Sequence, residues 1–337
     1  RRTDDHLSLV ANITAKTRAS LVERDVDTRR GLAGLELPMA PPLEGTRPEV
    51  LERVRRQAQL QVRGEDEQRN IYELLEPHLT DDGELDTTKG LLALPEPSAG
   101  DLYLDLEGDP FIGDEGMDYL FGLLQPAETG VDGEPLFHAF WSKDASGEVT
   151  PAGEKAAFEA CVDTIMAALQ EDPGLHVYHY APYEPAALKR LMGRYATREE
   201  EINRMLRAHL FVDLYGIVRQ GLRASVESYS IKKLEPFYGF TRATDLQDAN
   251  KALRSFEAAL ELERPKGLDA LDALDTVLED DTLVIVGKDV RPVRLALAIV
   301  GLGPELADQV GRQRRQRLAA RAAGFDNLNL DLMHGLP

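Results

Sequence analysis

The chain is poor in the features that fix a compartment or a chemistry at once. Its 337 residues include one cysteine, which excludes an internal disulfide and any all-cysteine metal cluster within the chain. That residue, Cys161, lies in the apolar helical stretch Phe158-Glu159-Ala160-Cys161-Val162, where a buried, inert thiol is expected. No run of about 18 uncharged apolar residues occurs, so no membrane span is predicted. The opening residues, Arg1-Arg2-Thr3-Asp4-Asp5-His6, are polar and lack the apolar centre of a signal peptide. A cytoplasmic location is the expectation. No Gly-x-x-x-x-Gly-Lys-Ser/Thr loop is present, so ATP hydrolysis is not predicted. Positive charge is scarce: 39 Lys and Arg stand against 59 Asp and Glu, a net charge of −20. A broad basic surface for nucleic acid is therefore disfavoured. Chemistry built on carboxylates is not. The first 64 residues run the other way, with 12 Lys/Arg against 9 Asp/Glu. They offer either a partner surface or a solvated helical face.

Along the chain, residues 1–37 read as two or three short helices. Asp4-Asp5 suit an N-cap ahead of the apolar run Leu7, Leu9, Val10 and Ile13, and a further helix is expected to begin near Thr28. Prolines 38, 41, 42 and 48 mark an irregular crossing before a charged helix at about 48–64. A second punctuated zone, Pro95-Glu96-Pro97-Ser98-Ala99-Gly100, places a boundary there. The expected division is a helical N-terminal region at 1–97, an α/β domain at 98–263 and a divergent tail at 264–337. Within the domain, strands are expected over 101–107, 117–124, 136–141 and 175–180, with Asp132-Gly133 as a hairpin turn. Helices are expected over 153–170, from about 184 and 199, and over 211–222 and 249–262. Three hairpin-ordered strands followed by helix, strand and helix is the RNase H-like order: a mixed sheet with flanking helices. The tail holds a Leu-Asp-Ala repeat at 268–275, a possible strand at Leu283–Val286 and an Arg/Ala-rich helix at 311–323.

The sharpest chemical signal is Asp105-Leu106-Glu107. Alternate residues of a strand face opposite ways, so Leu102, Leu104 and Leu106 share one face, and Tyr103, Asp105 and Glu107 the other. Two carboxylates about 6–7 Å apart along a strand repel unless a cation bridges them. Hard oxygen ligands suit Mg²⁺ or Mn²⁺. Two such ions can clamp both the attacking water and the leaving oxygen of a phosphodiester. The plainer reading is two solvated acids on an exposed strand face. A second element, Val177-Tyr178-His179-Tyr180-Ala181-Pro182-Tyr183-Glu184, turns from strand to helix. Glu184 serves there either as a metal ligand or as an acid favoured by the helix dipole. His179 and Tyr180 either line the site or pack. In the third, Phe211 to Tyr215, Asp213 is expected to cap a helix. Lys232 and Lys233 stand either against phosphates or as exposed helix lysines.

Taken together, Leu102 to Pro110, Val177 to Leu188, Phe211 to Gln220 and Ser228 to Phe240 resemble the YprB-like RNase H domain of bacterial RecB-like nuclease–helicase proteins. The resemblance spans about 1–262. It includes Asp4 to Val10, similar to the segment after a cysteine-bearing RecB-type nuclease module. It implies a DEDD-type exonuclease fold using two divalent ions, Mg²⁺ or Mn²⁺. Asp105 and Glu107 match the first motif, and Glu184 matches the second-motif acid, usually aspartate in the wider superfamily. Asp213 matches a helix-start acid that is more structural than catalytic. The implied activity is 3′–5′ hydrolysis of DNA or RNA, with Asp105, Glu107 and Glu184 catalytic; Lys232, Lys233 and Tyr180 are the candidate nucleic-acid contacts read from the residues. Implied partners are helicase or RecB-type nuclease modules outside this chain, and no membrane.

Two departures bear on this. The last acidic motif of the family resembles Tyr-Asn-x-Asp-Asp-Cys. Its nearest counterpart here is Leu278-Glu279-Asp280-Asp281, which makes Asp281 the candidate final metal ligand without the tyrosine or cysteine. A domain lacking that ligand would be a catalytically inactive nucleic-acid or partner-binding module, the competing expectation. Separately, Ala322 to Pro337 resembles a segment of oxygen-independent coproporphyrinogen oxidases. Those enzymes need a three-cysteine cluster motif that Cys161 alone cannot supply. The blend reads as a join between two genes.

Overall fold

The computed structural model describes residues 2–112, 115–125, 136–145 and 147–238. The expected helix at 249–262, the Asp132-Gly133 turn, the elements of the tail and Asp281 lie outside the described residues.

The N-terminal region is a small helical cluster. A 3₁₀ turn, Leu7–Leu9, precedes α1 (Ala15–Val22), α2 (Arg29–Ala33) and the long α3 (Pro48–Asp66). Thr14 and Thr28 cap α1 and α2, each hydroxyl accepting from the backbone N–H three residues on. Proline at the first position of α3 needs no N–H partner. Asp4-Asp5 do not cap as expected. His6 caps the 3₁₀ turn, while Asp5 accepts from Arg29 Nε and from the Arg30 backbone N–H, both at 2.8 Å. The longer-range partner displaces the local one. Leu7, Leu21, Leu32, Leu51 and Val54 bury together between these elements, each worth about 1.5–3 kcal/mol.

Strand β1 (Tyr72–Leu74) follows, then the sheet strands β2 (Leu102–Asp109), β3 (Met117–Gln125) and β4 (Leu136–Trp141). Helix α4 (Pro151–Glu171) leads to β5 (Val177–His179), α5 (Tyr183–Tyr195) and α6 (Glu199–Arg207). Strand β6 (Phe211–Asp213), α7 (Leu214–Gly221), β7 (Leu222–Ala224) and α8 (Ile231–Tyr238) complete the described order. Five strands form one sheet in the order β4-β3-β2-β5-β6. Strand β2 is its centre, antiparallel to β3 and parallel to β5. The mixed α/β sheet with flanking helices is the expected architecture. One correction concerns 211–222: the first three residues are strand β6, paired in parallel with β5, and the helix begins at Leu214. Three residues are too few for a strand period to show, and pairing with β5 decides their conformation.

The predicted alternation of β2 holds. Leu102, Leu104 and Leu106 pack with Phe158, Val162, Leu188 and Leu191 of α4 and α5 on one face. Tyr103 turns to the other face, where its ring stacks on Tyr178 of β5 with centroids 5.1 Å apart. Val218 of α7 and Leu234 of α8 bury in that same second cluster. Chain before and after residue 97 is joined directly: β1 pairs with β7, and Gln57 of α3 donates to the Ala224 carbonyl at 2.8 Å.

Candidate active site

Asp105 and Glu107 are both half-buried on the central strand. By alternation they share the face of Tyr103, away from the leucines. Asp105 pairs with Gly122 and Glu107 with Leu120 of β3, after which the register slips so that Gly108 meets Asp118. This bulge at Tyr119 sharpens the local twist beside Glu107. Gly108 is required by crowding. A Cβ there would stand 2.5 Å from Asp118 Oδ1 and 2.8 Å from the Tyr183 hydroxyl.

Strand β5 ends at His179, so the carboxylates of β2 project past its end, beside the turn into α5. That turn is tightly specified. The Ala181 carbonyl can only accept, so His179 carries its proton on Nδ1 and donates across 2.6 Å. Ala181 itself adopts φ +82°, a conformation costing a non-glycine residue about 1–3 kcal/mol. Its N–H donates to Asp213 Oδ1 at 3.1 Å. Asp213 thus stands at the helix start as expected but does not cap α7 with its side chain. The closer donor on the neighbouring turn takes that oxygen, and β6 is fastened to the β5–α5 turn. Glu184 occupies the first turn of α5 and is only 5% exposed. Its Oε2 lies 3.4 Å from His179 Nδ1 and has no hydrogen-bond partner among the described residues.

The other expected contacts are distributed on the Asp105 side of the sheet. Tyr180 packs against the Tyr103 cluster, and its hydroxyl donates to the Tyr229 carbonyl. Lys232 and Lys233 are exposed in the first turn of α8, whose Leu234 buries in that cluster. Cys161 is fully buried, which pushes its thiol up to about 12, in line with an inert side chain.

A second polar system escaped sequence reasoning. Asp118 of β3 is 1% exposed and accepts from the Tyr183 hydroxyl and from Arg190, both at 2.6 Å. Glu154 of α4 is wholly buried. It accepts from the Asp118 backbone N–H at 2.5 Å, from Arg194 at 2.9 Å and from the Tyr195 hydroxyl. Burial first, then the bond to Asp118 and the charge of Glu107, hold the Tyr183 hydroxyl protonated well above the usual phenol range. Tyr183 therefore stands between the network and the Glu107 end of β2. The available signals were an aspartate interrupting an apolar strand and two arginines four apart on α5.

The donor chemistry of Asp105, Glu107 and Glu184 fits hard divalent cations, and the orphaned buried oxygen of Glu184 is the kind of group a cation would satisfy. The set is incomplete as it stands. Among the described residues, no three His, Cys, Asp or Glu side chains are gathered to hold one ion.

Residues 102–275, just over half of the chain, match the RNase H superfamily. No curated protein and no solved structure matches the chain significantly. Among the described residues, no helix is long and apolar enough to cross a membrane.

Proposed function

Because the chain belongs to the RNase H superfamily, we propose that it is a metal-dependent 3′–5′ exonuclease hydrolysing phosphodiester bonds of DNA or RNA. The observation carrying this reading is the half-buried pair Asp105 and Glu107 on the central strand, beside a turn that delivers the buried Glu184. Asp105 and Glu107 would hold Mg²⁺ or Mn²⁺, with Glu184 completing the shell and Asp281 as the further candidate. Two bound ions would supply charge stabilisation to the attacking water and the leaving oxygen. The chain's own residues orient the parts. The Asp118–Tyr183–Arg190 contacts fix the start of α5 against β3, and with it Glu184. Tyr180 and the α8 lysines lie on the Asp105 side, where a nucleic-acid strand would approach. Helicase or RecB-type nuclease modules are proposed partners.

The test is hydrolysis of a single-stranded DNA labelled at its 3′ nucleotide, with Mn²⁺, by the unmutated chain and by Asp105→Ala. Release of the labelled nucleotide by the unmutated chain alone supports the reading; equal release by both sinks it. A specific observation favours one alternative, a catalytically inactive binding module: no three metal-binding side chains are gathered among the described residues. Oligonucleotide binding without hydrolysis by either folded protein would select that alternative.

A further inference from the structure

Helix α3 as a whole carries four arginines against four acids, but its positive charge gathers ahead of Glu65 and Asp66. Residues 47–63 carry five arginines against two glutamates in a protein of net charge −20. Arg53, Arg56 and Arg63 are all exposed. Their spacing of i, i+3 and i+10 puts them on one side of the helix over about 15 Å. Leu51, Val54, Gln57 and Ala58 form the buried side that holds α3 in place. Two concavities adjoin along the row. One of about 420 Å³ is lined in part by Arg56, Arg63 and Glu73. The other, of about 470 Å³, includes Arg53, Arg56 and Arg223.

The guanidinium groups of Arg56 and Arg63 are held without being neutralised. Glu52 is shared by Arg56, at 2.5 Å, and Arg55, at 3.4 Å. Glu73 is shared by Arg63, at 3.2 Å, and Arg223, at 3.1 Å. Each set of two arginines and one glutamate keeps a net positive charge. A guanidinium has five N–H donors, and Arg56 and Arg63 each commit one to these carboxylates. Arg53 makes no ion pair among the described residues. Restrained arginines with spare donors suit phosphate oxygens better than freely moving lysines do. The helix is also tied to the Asp105 side of the sheet: the Tyr229 hydroxyl donates to Gln57 of α3, and the Tyr229 carbonyl accepts from Tyr180.

We propose that the Arg53–Arg56–Arg63 row is an accessory surface for the phosphodiester backbone of a single-stranded nucleic acid, holding substrate away from the hydrolysed end. This rests on the nucleic-acid-processing reading of the sheet. The test is fluorescence anisotropy of fluorescein-labelled oligothymidylate with the full chain in EDTA, over a series of salt concentrations. The triple variant R53S/R56S/R63S should lose about tenfold in affinity at low salt. Its log–log salt slope should fall by about 2, since each phosphate contact to a single strand contributes about 0.7. Restoring the charge with R53K/R56K/R63K should recover most of the slope. Unchanged affinity and slope in a triple variant with an unchanged melting temperature would overturn the proposal, as would no binding by the unmutated chain. Hydrolysis on the same proteins separates the two readings. Arginine-dependent binding without hydrolysis removes the exonuclease and leaves the surface standing. Hydrolysis with arginine-independent binding does the reverse.

Discussion

Two groups of buried acids lie at the same end of the sheet and are treated in opposite ways. Asp118 and Glu154 are fully withdrawn from water, and each is answered by an arginine and a tyrosine. Glu184 is nearly as buried, yet one of its oxygens has no hydrogen-bond partner among the described residues. Leaving a buried carboxylate oxygen unmatched costs free energy. A fold that matches Asp118 and Glu154 with such care has the means to match Glu184 as well. Asp109 Oδ2 at the end of β2 is likewise without a partner among the described residues, so the contrast separates fully matched acids from incompletely matched ones, and it can be broken by experiment.

The largest effect is expected at the centre of the comparison. Asp105→Ala should lower metal-dependent hydrolysis by about 10³-fold, which corresponds to about 4 kcal/mol of barrier, and leave thermal unfolding nearly unchanged. A large fall in melting temperature would instead make Asp105 a structural acid. Glu154→Ala should behave in the opposite way. It leaves the buried Asp118 N–H unmatched and leaves Arg194 with the exposed Glu115 carboxylate and two loop carbonyls as partners, so a loss of about 2–3 kcal/mol in urea unfolding is expected. Retained stability would show that the Arg194 and Tyr195 contacts contribute little. Glu184→Gln tests the middle case. Removing a poorly matched buried charge should leave stability equal or slightly higher, while hydrolysis falls by about 10²-fold or more. A clear loss of stability would place Glu184 with Asp118 and Glu154.

The two groups were not equally legible in the sequence. The Asp105–Glu107 pair stands out because β2 is long enough for its period of two to show, with leucine at every second position. The β5–α5 turn was legible through its aromatic, proline and acid punctuation. The supporting network was not. Arg190 lies 72 residues from Asp118, and Arg194 lies 40 from Glu154. Only the assembled sheet brings such partners together, and a lone Asp in an apolar strand reads equally well as an exposed residue. Strand β6 was missed for a related reason: Phe211–Asp213 has no pattern of its own and is a strand because β5 lies beside it.

The smallest expected effect comes from an acid of neither kind, and it sharpens the distinction. Asp172, at the end of α4, accepts from the Ser98 hydroxyl and from the backbone N–H groups of Gly100 and Gly174. The Ser98 bond first, then the two amides after the cost of burial, hold its carboxyl below the usual range. A carboxylate depressed in the folded state stabilises above its unfolded pKa, near 4, and loses that contribution as pH falls through the lower folded value. The unmutated chain should therefore lose stability from about pH 4 downward with a share due to Asp172. Asp172→Asn cannot titrate, so its unfolding free energy should start slightly lower at neutral pH and fall less steeply in acid. The two curves should converge below pH 4. Parallel curves would mean that Asp172 does not titrate differently in the folded and unfolded chain. Its bonds to the loop before β2 would then be geometric only, unlike the arginine-matched Asp118 and Glu154 beside the candidate site.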